Sequence, residues 1–315
     1  MDPRGVAVYS DALMTVAHGS AALRFAKYEG LGNDFVVIDV DAPDALDAGA
    51  DVHALAAALC DRHRGVGADG VLLAGVSAGV PFMRVLNADG SEPEMCGNGL
   101  RCVALHLART GRLPAGDVER AFATGAGPHV VRVHAAGDEG LVEVALRPAT
   151  FDPARVPVAA PRPLVDASLE LDGRTLRVTA LSLGNPHVVT FDPLDEASRR
   201  AIGPRLAKDP RFPEGVNVGF ASPDAEGLTL HVYERGVGFT QACGTGATAA
   251  AIAAVETGRA PRGVPLRVRL PGGTLTVQVD AVDAPARLIG PARHVFDGHV
   301  ALTRVIGCMP SGKMV

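Results

Sequence analysis

Two cysteines of this chain each precede a Gly-X-Gly turn. Cys96 opens Cys-Gly-Asn-Gly and Cys243 opens Cys-Gly-Thr-Gly, and each motif leads into a segment predicted as a helix. A thiol at a helix start meets unpaired backbone N–H groups and the positive end of the helix dipole, and both favour the thiolate. The glycines let a carboxylate approach the same N–H groups closely. The motifs therefore indicate a nucleophile or an anion site.

The two motifs belong to a longer internal repeat. A polar residue, Asn87 or Glu234, stands nine positions before each cysteine. Further upstream, Gly-Asn-Asp-Phe-Val-Val at 32–37 resembles Gly-Asn-Pro-His-Val-Val at 184–189. Self-similarity of this kind indicates duplicated architecture. We expect two related domains, with a pseudo-twofold axis that brings the two turns face to face across a cleft.

Two opposed thiols can invert a carbon centre. One sulfur removes a proton from one face while the other delivers a proton to the opposite face. Because proton transfer at a carbon that carries an amine and a carboxylate is difficult, the site must exclude water and supply fixed donors. The candidate donors are Asn33, Asn87, Asn98, Asn185, Asn217 and Arg235. His187 and Glu234 are also assigned to the site because of their positions in the repeat.

The elements that must position these residues are many short strands and few helices. Apolar runs separated by glycine and proline predict strands, at 34–40, 71–74, 83–86, 130–133, 141–146 and 266–270. The clearest helices are predicted at 52–62, 99–109, 195–207 and 246–256. The fold class is therefore α+β. The proline-rich stretch 149–163 is interpreted as a passage between domains.

Length, charge and cysteine content exclude several classes of protein. A chain of 315 residues is long enough for two domains of about 150 residues. With a net charge of −5 it has no basic excess, so neither nucleic acid nor an anionic membrane is expected as a partner. We identify no signal peptide, and no apolar run approaches the roughly 18 residues of a membrane span. Five cysteines, an odd number, favour reduced thiols in a cytosolic protein.

Other residues with reactive side chains have simpler interpretations. Cys60, Cys102 and Cys308 are predicted to be buried structural residues. Cys60 and His63 lack the companions that a metal site needs. The segment 244–249 matches the loose Gly-X-Gly-X-X-Ala pattern, but no strand leads directly into it and no acidic residue follows at the required spacing. We therefore expect neither a metal nor a dinucleotide cofactor.

These motifs resemble those of the diaminopimelate epimerase family. The segments that carry the resemblance are 27–35, 61–70, 87–99, 183–187, 217–220, 233–238 and 242–246, with 270–273, 290–292 and 295–298 later in the chain. The likeness extends over about residues 25 to 303. It implies a cofactor-independent isomerase that interconverts LL- and meso-2,6-diaminopimelate, on the route to lysine and peptidoglycan precursors. It also implies a cytoplasmic homodimer.

Carried over residue by residue, the resemblance makes Cys96 and Cys243 the acid/base pair, with His187 and Glu234 as supporting groups. Polar side chains would bind the substrate, largely at its distal end, and backbone N–H groups would hold the carboxylate at the inverted centre. The substrate-binding residues implied are Asn33, Asn87, Gly97, Asn98, Asn185, Asn217, Glu234, Arg235, Gly244 and Thr245. The resemblance implies no metal and no cofactor.

The family fold consists of two similar α/β domains with the active site in the cleft between them. Here it implies an N-terminal extension at 1–24, which need not be ordered. The N-terminal domain would comprise 25–140 and a returning C-terminal strand within 290–307. The C-terminal domain would comprise 141–289.

The chain departs from the family pattern at two positions. Phe239 stands where the family has a glutamate, which is Glu92 in the first repeat. Gly70 stands where the family can use a side chain such as glutamine to contact the substrate. We expect Phe239 to alter the surroundings of the site without abolishing activity, and Gly70 to contribute only its backbone.

Two alternatives remain open. A proline or hydroxyproline racemase-like enzyme of the same superfold also uses two cysteines, but those enzymes have Cys-Gly-His-Gly at the position of 96–99. They also have no use for Asn33, Asn217 and Arg235 at a distal end. A non-catalytic amino-acid-binding protein would keep the cleft without needing both sulfurs. The presence of both motif cysteines therefore favours the epimerase.

Overall fold

The computed structural model describes residues 14–17, 20–47, 51–93, 95–114 and 116–301. The chain divides into Met1–Val142 with Pro291–Val315, called unit 1, and Glu143–Gly290, called unit 2. Within the N-terminal extension, residues 14–17 and 20–24 lie in strands. The rest of that extension, the end of the returning strand at 302–307 and Cys308 lie outside the described residues.

Within its described residues, unit 1 is built mainly of antiparallel strands, and two neighbouring strands form a parallel pair. Its elements are β1 (Met14–Ala17), β2 (Ser20–Gly30), β3 (Asn33–Asp39), α1 (Val52–Cys60), β4 (Gly70–Ser77), β5 (Val80–Asn87), α2 (Gly97–Arg109), β6 (Gly116–Phe122), β7 (His129–Ala135) and the first part of β8 (Glu139–Ala145). β2 pairs antiparallel with β3, β3 parallel with β4, and β4 antiparallel with β5. β1 pairs with β2, and β6 with β7, also antiparallel.

Unit 2 repeats this order of pairing. Its elements after β8 are β9 (Ala167–Leu171), β10 (Arg174–Ser182), β11 (Pro186–Thr190), α3 (Glu196–Leu206), β12 (Asn217–Asp224), β13 (Gly227–Glu234), β14 (Gly238–Thr240), α4 (Gly244–Glu256), β15 (Leu266–Leu270), β16 (Gly273–Gln278) and the start of β17 (Arg287–Ala301). β10 pairs antiparallel with β11, β11 parallel with β12, and β12 antiparallel with β13. β17 pairs with β16 over 287–289 and with β2 of unit 1 over 293–301.

The register of the parallel pairs shows that the duplication extends to the positions of individual residues. Phe35 on β3 lies opposite Gly70 on β4, and His187 on β11 lies opposite Asn217 on β12. The strands that follow, β5 and β13, end at the two repeat positions that were matched nine residues before each cysteine. The predicted α+β class with two repeated domains is thus confirmed.

The four predicted helices are confirmed, with ends that shift by at most two residues. α2 and α4 each begin two residues earlier than predicted, because the motif cysteine itself caps the helix. α1 ends two residues early, at Cys60. There the carboxylate of Asp61 accepts the N–H groups of His63 and Arg64 and starts a new turn.

Each unit has its own apolar core. In unit 1, α1 packs on the buried side chains of β3 and β4, such as Val36, Ile38 and Leu73. The core of unit 2 includes Val156 and Val158, both buried. The interpretation of 149–163 as a passage between domains is therefore wrong: this segment lies inside unit 2, because its valines pack into that core.

The helices that begin at the two cysteines are the most buried ones of the described chain. Most side chains of α2 are buried, and α4 is an alanine-rich helix whose residues 246–254 are all buried. Alanine favours the helix and lets neighbouring strands approach closely. None of the helices described has both the length and the apolar composition that crossing a membrane requires.

Candidate active site

Cys96 and Cys243 are the N-caps of α2 and α4 and have almost identical geometry. Their φ and ψ angles are −136° and 109° for Cys96, and −135° and 110° for Cys243. In each case Sγ accepts the backbone N–H three residues later, from Gly99 or Gly246, at 3.3 Å. α1 and α3 have aspartate caps, so a thiol here takes a place usually filled by an oxygen acceptor. Both sulfurs therefore lie at the positive end of a helix dipole.

Close packing explains the second glycine of each motif. A Cβ at Gly99 would lie 2.9 Å from Leu72 Cδ2 and 3.4 Å from the sulfur of its own cap. A Cβ at Gly246 would lie 3.1 Å from Val232 Cγ2 and 3.2 Å from its cap sulfur. A side chain at Gly99 would therefore clash with Leu72, and one at Gly246 would press on both Val232 and the Cys243 sulfur. At Gly97, by contrast, an added Cβ meets none of the described residues within 4 Å, so the start of α2 is open at that point.

In unit 1, two predicted asparagines are held together beside the Cys96 cap. Asn98 Nδ2 donates to Asn33 Oδ1 at 3.3 Å, and Asn33 Nδ2 donates to Asp69 Oδ2 at 2.7 Å. Arg101 Nη2 donates to Asn98 Oδ1 at 2.9 Å. Sequence reasoning did not assign Asp69 or Arg101, although Asp69 lies in a motif segment next to Gly70. These contacts fix which way both amides point.

Asp69 is itself held by a network of charges. Arg62 Nη2 donates to Asp34 Oδ1 at 2.6 Å and to Asp69 Oδ1 at 2.7 Å. Lys27 Nζ lies 2.5 Å from Asp34 Oδ2. Although burial acts in the other direction, hydrogen bonds from Arg62 and Lys27 lower the pKa of Asp34 to about 2. Asp34, which shares Arg62 with Asp69, is therefore ionised at neutral pH.

Gly70 and Asn87 face each other across β4 and β5. Asn87 Nδ2 donates to Ser91 Oγ at 2.9 Å, which keeps the end of β5 in a tight turn. A Cβ at Gly70 would lie only 2.7 Å from the carbonyl oxygen of Leu86. The strand pairing therefore leaves no room for the side chain that the family can carry at this position.

In unit 2, the corresponding polar group is centred on Asn185. His187 Nε2 lies 3.1 Å from Asn185 Oδ1, and Asn185 Nδ2 donates to Thr245 Oγ1 at 3.3 Å. Burial and then the charge of Arg235 lower the pKa of His187 to about 3, so the ring is neutral at physiological pH. Since Oδ1 can only accept, we infer that Nε2 of His187 carries the proton. The histidine orients Asn185.

The repeat is preserved in these contacts as well as in the backbone. Asn33 contacts the side chain two positions after Cys96, and Asn185 contacts the side chain two positions after Cys243. The supporting residue differs, because unit 1 uses a carboxylate and unit 2 uses a neutral imidazole. The two groups therefore share geometry but differ in charge.

Cys243 lies in a more buried and more acidic environment than its position in the motif suggests. Burial raises its pKa to about 12, and the Glu234 carboxylate acts in the same direction. The hydroxyl of Thr245 and the N–H of Gly246 oppose this shift. Thr240 Oγ1 donates to Glu234 Oε1 at 2.6 Å and holds that carboxylate, a role that sequence reasoning missed. Cys243 is therefore a neutral thiol at physiological pH.

Asn217 and Arg235 join the strand ends of unit 2. The buried Asn217 donates from Nδ2 to Pro186 O at 3.0 Å and accepts the backbone N–H of Arg235 at 2.9 Å. Arg235 Nη1 donates to Glu214 O at 2.7 Å. This places a guanidinium and the Glu234 carboxylate on consecutive residues at the end of β13.

Phe239 replaces a charge with aromatic packing. Its ring packs edge-on against Tyr233 at 5.2 Å and stacks on Phe220 at 6.2 Å, measured between ring centroids. These contacts hold β14, the strand that ends at Thr240. The sequence predicts that Phe239 alters the surroundings of the site. In the structure, this residue anchors β14 by ring packing.

The other described cysteines are away from helix starts. Cys60 and Cys102 are buried, and burial raises the pKa of Cys60 to about 12 and that of Cys102 further. Cys308 lies outside the described residues. Within the described part of the chain, no group of three or more His, Cys, Asp or Glu side chains is arranged to hold a metal ion.

Comparison with known proteins gives one consistent family. The family model described as diaminopimelate epimerase matches residues 25–151 and 179–295. A diaminopimelate epimerase of Desulforudis audaxviator is 44% identical over 280 residues, which cover 88% of this chain and 98% of the relative. One of Xylella fastidiosa is 46% identical over 283 residues, covering 88% and 95%. Diaminopimelate epimerase 1 of a Nostoc species is 40% identical over 284 residues, covering 88% and 99%.

Solved structures with lower sequence identity share the fold. A phenazine biosynthesis protein of the PhzF family from Bacillus anthracis has a TM-score of 0.62 at 14% identity, covering 89% of this chain and 99% of its own. A hydroxyproline epimerase from Agrobacterium vitis has a TM-score of 0.60 at 16% identity, covering 89% and 93%. At these identities the likeness concerns architecture alone.

Proposed function

The chain belongs to the diaminopimelate epimerase family and is an isomerase that interconverts LL- and meso-2,6-diaminopimelate in lysine biosynthesis, and we propose that Cys96 and Cys243 carry out its two proton transfers. The observation that carries the proposal is the repeated cap, in which each sulfur accepts a helix N–H at 3.3 Å. One sulfur takes the α-proton as a thiolate, and the other gives a proton to the opposite face of the carbon as a thiol. The roles exchange when the reaction runs backwards.

The start of each helix also provides donors for the substrate carboxylate at the reacting centre. Backbone N–H groups of Gly97 and Asn98 in one unit, and of Gly244 and Thr245 in the other, point out of a helix start and suit an anion. Negative charge that develops at the α-carbon and its carboxylate in the transition state is stabilised by such fixed donors. The chain therefore lowers the barrier with backbone dipoles and needs no electron-withdrawing cofactor for this step.

The distal amino-acid end of the substrate is bound by polar side chains. We assign this role to Asn33, Asn87, Asn185, Asn217, Glu234 and Arg235. The neighbouring carboxylate and guanidinium of Glu234 and Arg235 suit a group that carries both an ammonium and a carboxylate. His187 acts as a positioning residue for Asn185, since its ring is neutral and buried. Burial, and then the Glu234 carboxylate, raise the pKa of Cys243 and keep it protonated, which suits the acid role.

The decisive experiment follows the α-hydrogen. Reduced, purified protein with no added cofactor is incubated with LL-diaminopimelate in deuterated water, and deuterium incorporation and the meso isomer are measured. Cys96→Ala and Cys243→Ala should each lower turnover by at least about 100-fold, because each face of the carbon needs its own acid or base. Cys60→Ala, in α1, is the matched control and should retain turnover. Full turnover by either active-site variant would refute the two-thiol mechanism.

We also propose that the protein works as a homodimer in the cytoplasm. Two consecutive apolar side chains on β17 are exposed, Val295 at 49% and Phe296 at 45%, and suit an interface between copies of the chain. Both thiols must stay reduced, which fits a reducing compartment. Sedimentation of the wild type and of Phe296→Ala tests the dimer, and cell fractionation tests the compartment. A wild-type monomer, or protein found outside the cytoplasmic fraction, would contradict these proposals.

A further inference from the structure

Arg101 is a charged residue buried directly behind the Cys96 cap. It lies one turn into α2 and its side chain is 0% exposed. Its Nε donates to Pro291 O at 3.2 Å, its Nη2 donates to Asn98 Oδ1 at 2.9 Å, and its Nη1 lies 3.5 Å from Gly97 O. All three acceptors are neutral. Among the residues that the structure describes, no carboxylate forms an ion pair with this guanidinium.

A buried cation without its own anion is unfavourable unless a nearby group supplies negative charge. Burial lowers the pKa of Arg101, and negative charge on Cys102, Cys96 or Glu29 acts in the opposite direction. Cys102 is a fully buried thiol whose pKa burial raises, so it stays neutral. The Glu29 carboxylate is already engaged by Arg293 Nε at 3.1 Å and by a backbone N–H at 3.0 Å. Among these three groups of the described chain, the sulfur of Cys96 is the remaining source of negative charge.

Unit 2 has no such cation at the equivalent position. Five residues after Cys243 stands Thr248, which is also buried and donates from Oγ1 to Gly244 O at 3.0 Å. Gly244 O corresponds in the repeat to Gly97 O, the carbonyl near the Arg101 guanidinium in unit 1. A neutral hydroxyl therefore stands in unit 2 where unit 1 has a cation. Beside Cys243 lies the Glu234 carboxylate instead. The charged group closest to each helix start therefore differs, with the Arg101 guanidinium behind Cys96 and the Glu234 carboxylate acting on Cys243.

We propose that Arg101 is a positioning residue that holds the first turn of α2 and favours the thiolate of Cys96, so that the resting enzyme has its base on Cys96 and its acid on Cys243. Opposite charges in a buried environment attract more strongly than in water, and such a neighbour favours the ionised form of a thiol. The hydrogen bond to Asn98 ties the same guanidinium to the substrate-binding amides. This inference rests on the acid/base roles proposed for the two cysteines.

The test measures ionisation of Cys96 without turnover. In a Cys243→Ala background, the rate of iodoacetamide alkylation of the Cys96 peptide is followed by mass spectrometry from about pH 5 to 10, with the midpoint expected below the ordinary thiol value of about 8.5. Arg101→Met should raise this midpoint by about one unit, which slows alkylation about tenfold at neutral pH. Arg101→Lys should retain most of the effect. Thr248→Val, the matched change in unit 2, should leave the midpoint unchanged.

Several results would overturn the inference. An ordinary midpoint in the Cys243→Ala protein would do so even if Arg101→Met fails to fold, as judged by circular dichroism. A folded Arg101→Met protein with an unchanged midpoint would make the residue structural. A higher KM for Arg101→Met in the enzyme that keeps Cys243, together with an unchanged midpoint, would assign the guanidinium to the substrate carboxylate instead. Because alkylation needs no substrate, failure of the α-hydrogen exchange assay would refute the proposed function without changing this readout.

Discussion

Thr240 should control the reactivity of Cys243 through Glu234. Its hydroxyl donates to the Glu234 carboxylate at 2.6 Å, and that carboxylate acts on the Cys243 thiol. A hydrogen bond to a charged group is worth about 1.5–3 kcal/mol. Thr240→Val keeps the shape of the side chain but removes the donor, which lets the carboxylate rotate. Because the pair is only partly buried, we take the lower end of this range, which corresponds to about a tenfold decrease in kcat.

The assay is steady-state formation of the meso isomer, separated by chiral chromatography. Thr240→Ser keeps the donor and should restore most of kcat. Thr175→Val is a matched control, since its hydroxyl donates to Glu170 in the β9–β10 hairpin of the same unit. An unchanged kcat in a folded Thr240→Val protein would refute the reasoning. An equal loss in Thr175→Val would assign the effect to general destabilisation.

Three further predictions concern stability and binding. Burial raises the pKa of Cys60 to about 12, so the folded chain holds this proton more tightly than the unfolded chain. The free energy of unfolding should therefore fall as the pH rises above about 8.5, by up to about 1.4 kcal/mol per pH unit from this group, and urea unfolding of Cys60→Ala should lack this part of the slope. Phe239→Glu should lower the free energy of unfolding by about 1 kcal/mol, measured by urea denaturation, because the ring contact with Tyr233 is lost. Asp69→Asn should raise KM about tenfold with little change in kcat, measured by steady-state kinetics, because Asn33 loses a charged acceptor.

Each of these has a result that would count against it. Parallel pH profiles for Cys60→Ala and the wild type would mean that the thiol titrates alike in the folded and unfolded chain. A more stable Phe239→Glu protein would show that the aromatic contacts do not anchor β14. A loss of kcat in Asp69→Asn with KM unchanged would separate Asp69 from substrate binding.

Much of the fold could be predicted because its determinants are local. Glycine and proline separate the strands, and the apolar pattern marks the helices, so the predicted helices agree with the structure to within two residues. The proline-rich segment 149–163 was misjudged for a physical reason. Proline content suggests exposure, but the buried Val156 and Val158 determine where the segment packs.

The sequence by itself determined that the chain carries two copies of a thiol-capped helix start, because the cysteine, the glycines and the helix they open are contiguous. Only the tertiary structure decided which groups orient and charge those thiols. Asp69 reaches Asn33 across 36 positions of sequence through the pairing of β3 with β4. Arg101 is local in sequence, yet its burial without a carboxylate depends on Pro291, 190 positions away. Hydrogen-bond partners and burial are set by strand register and packing, which local motifs do not encode.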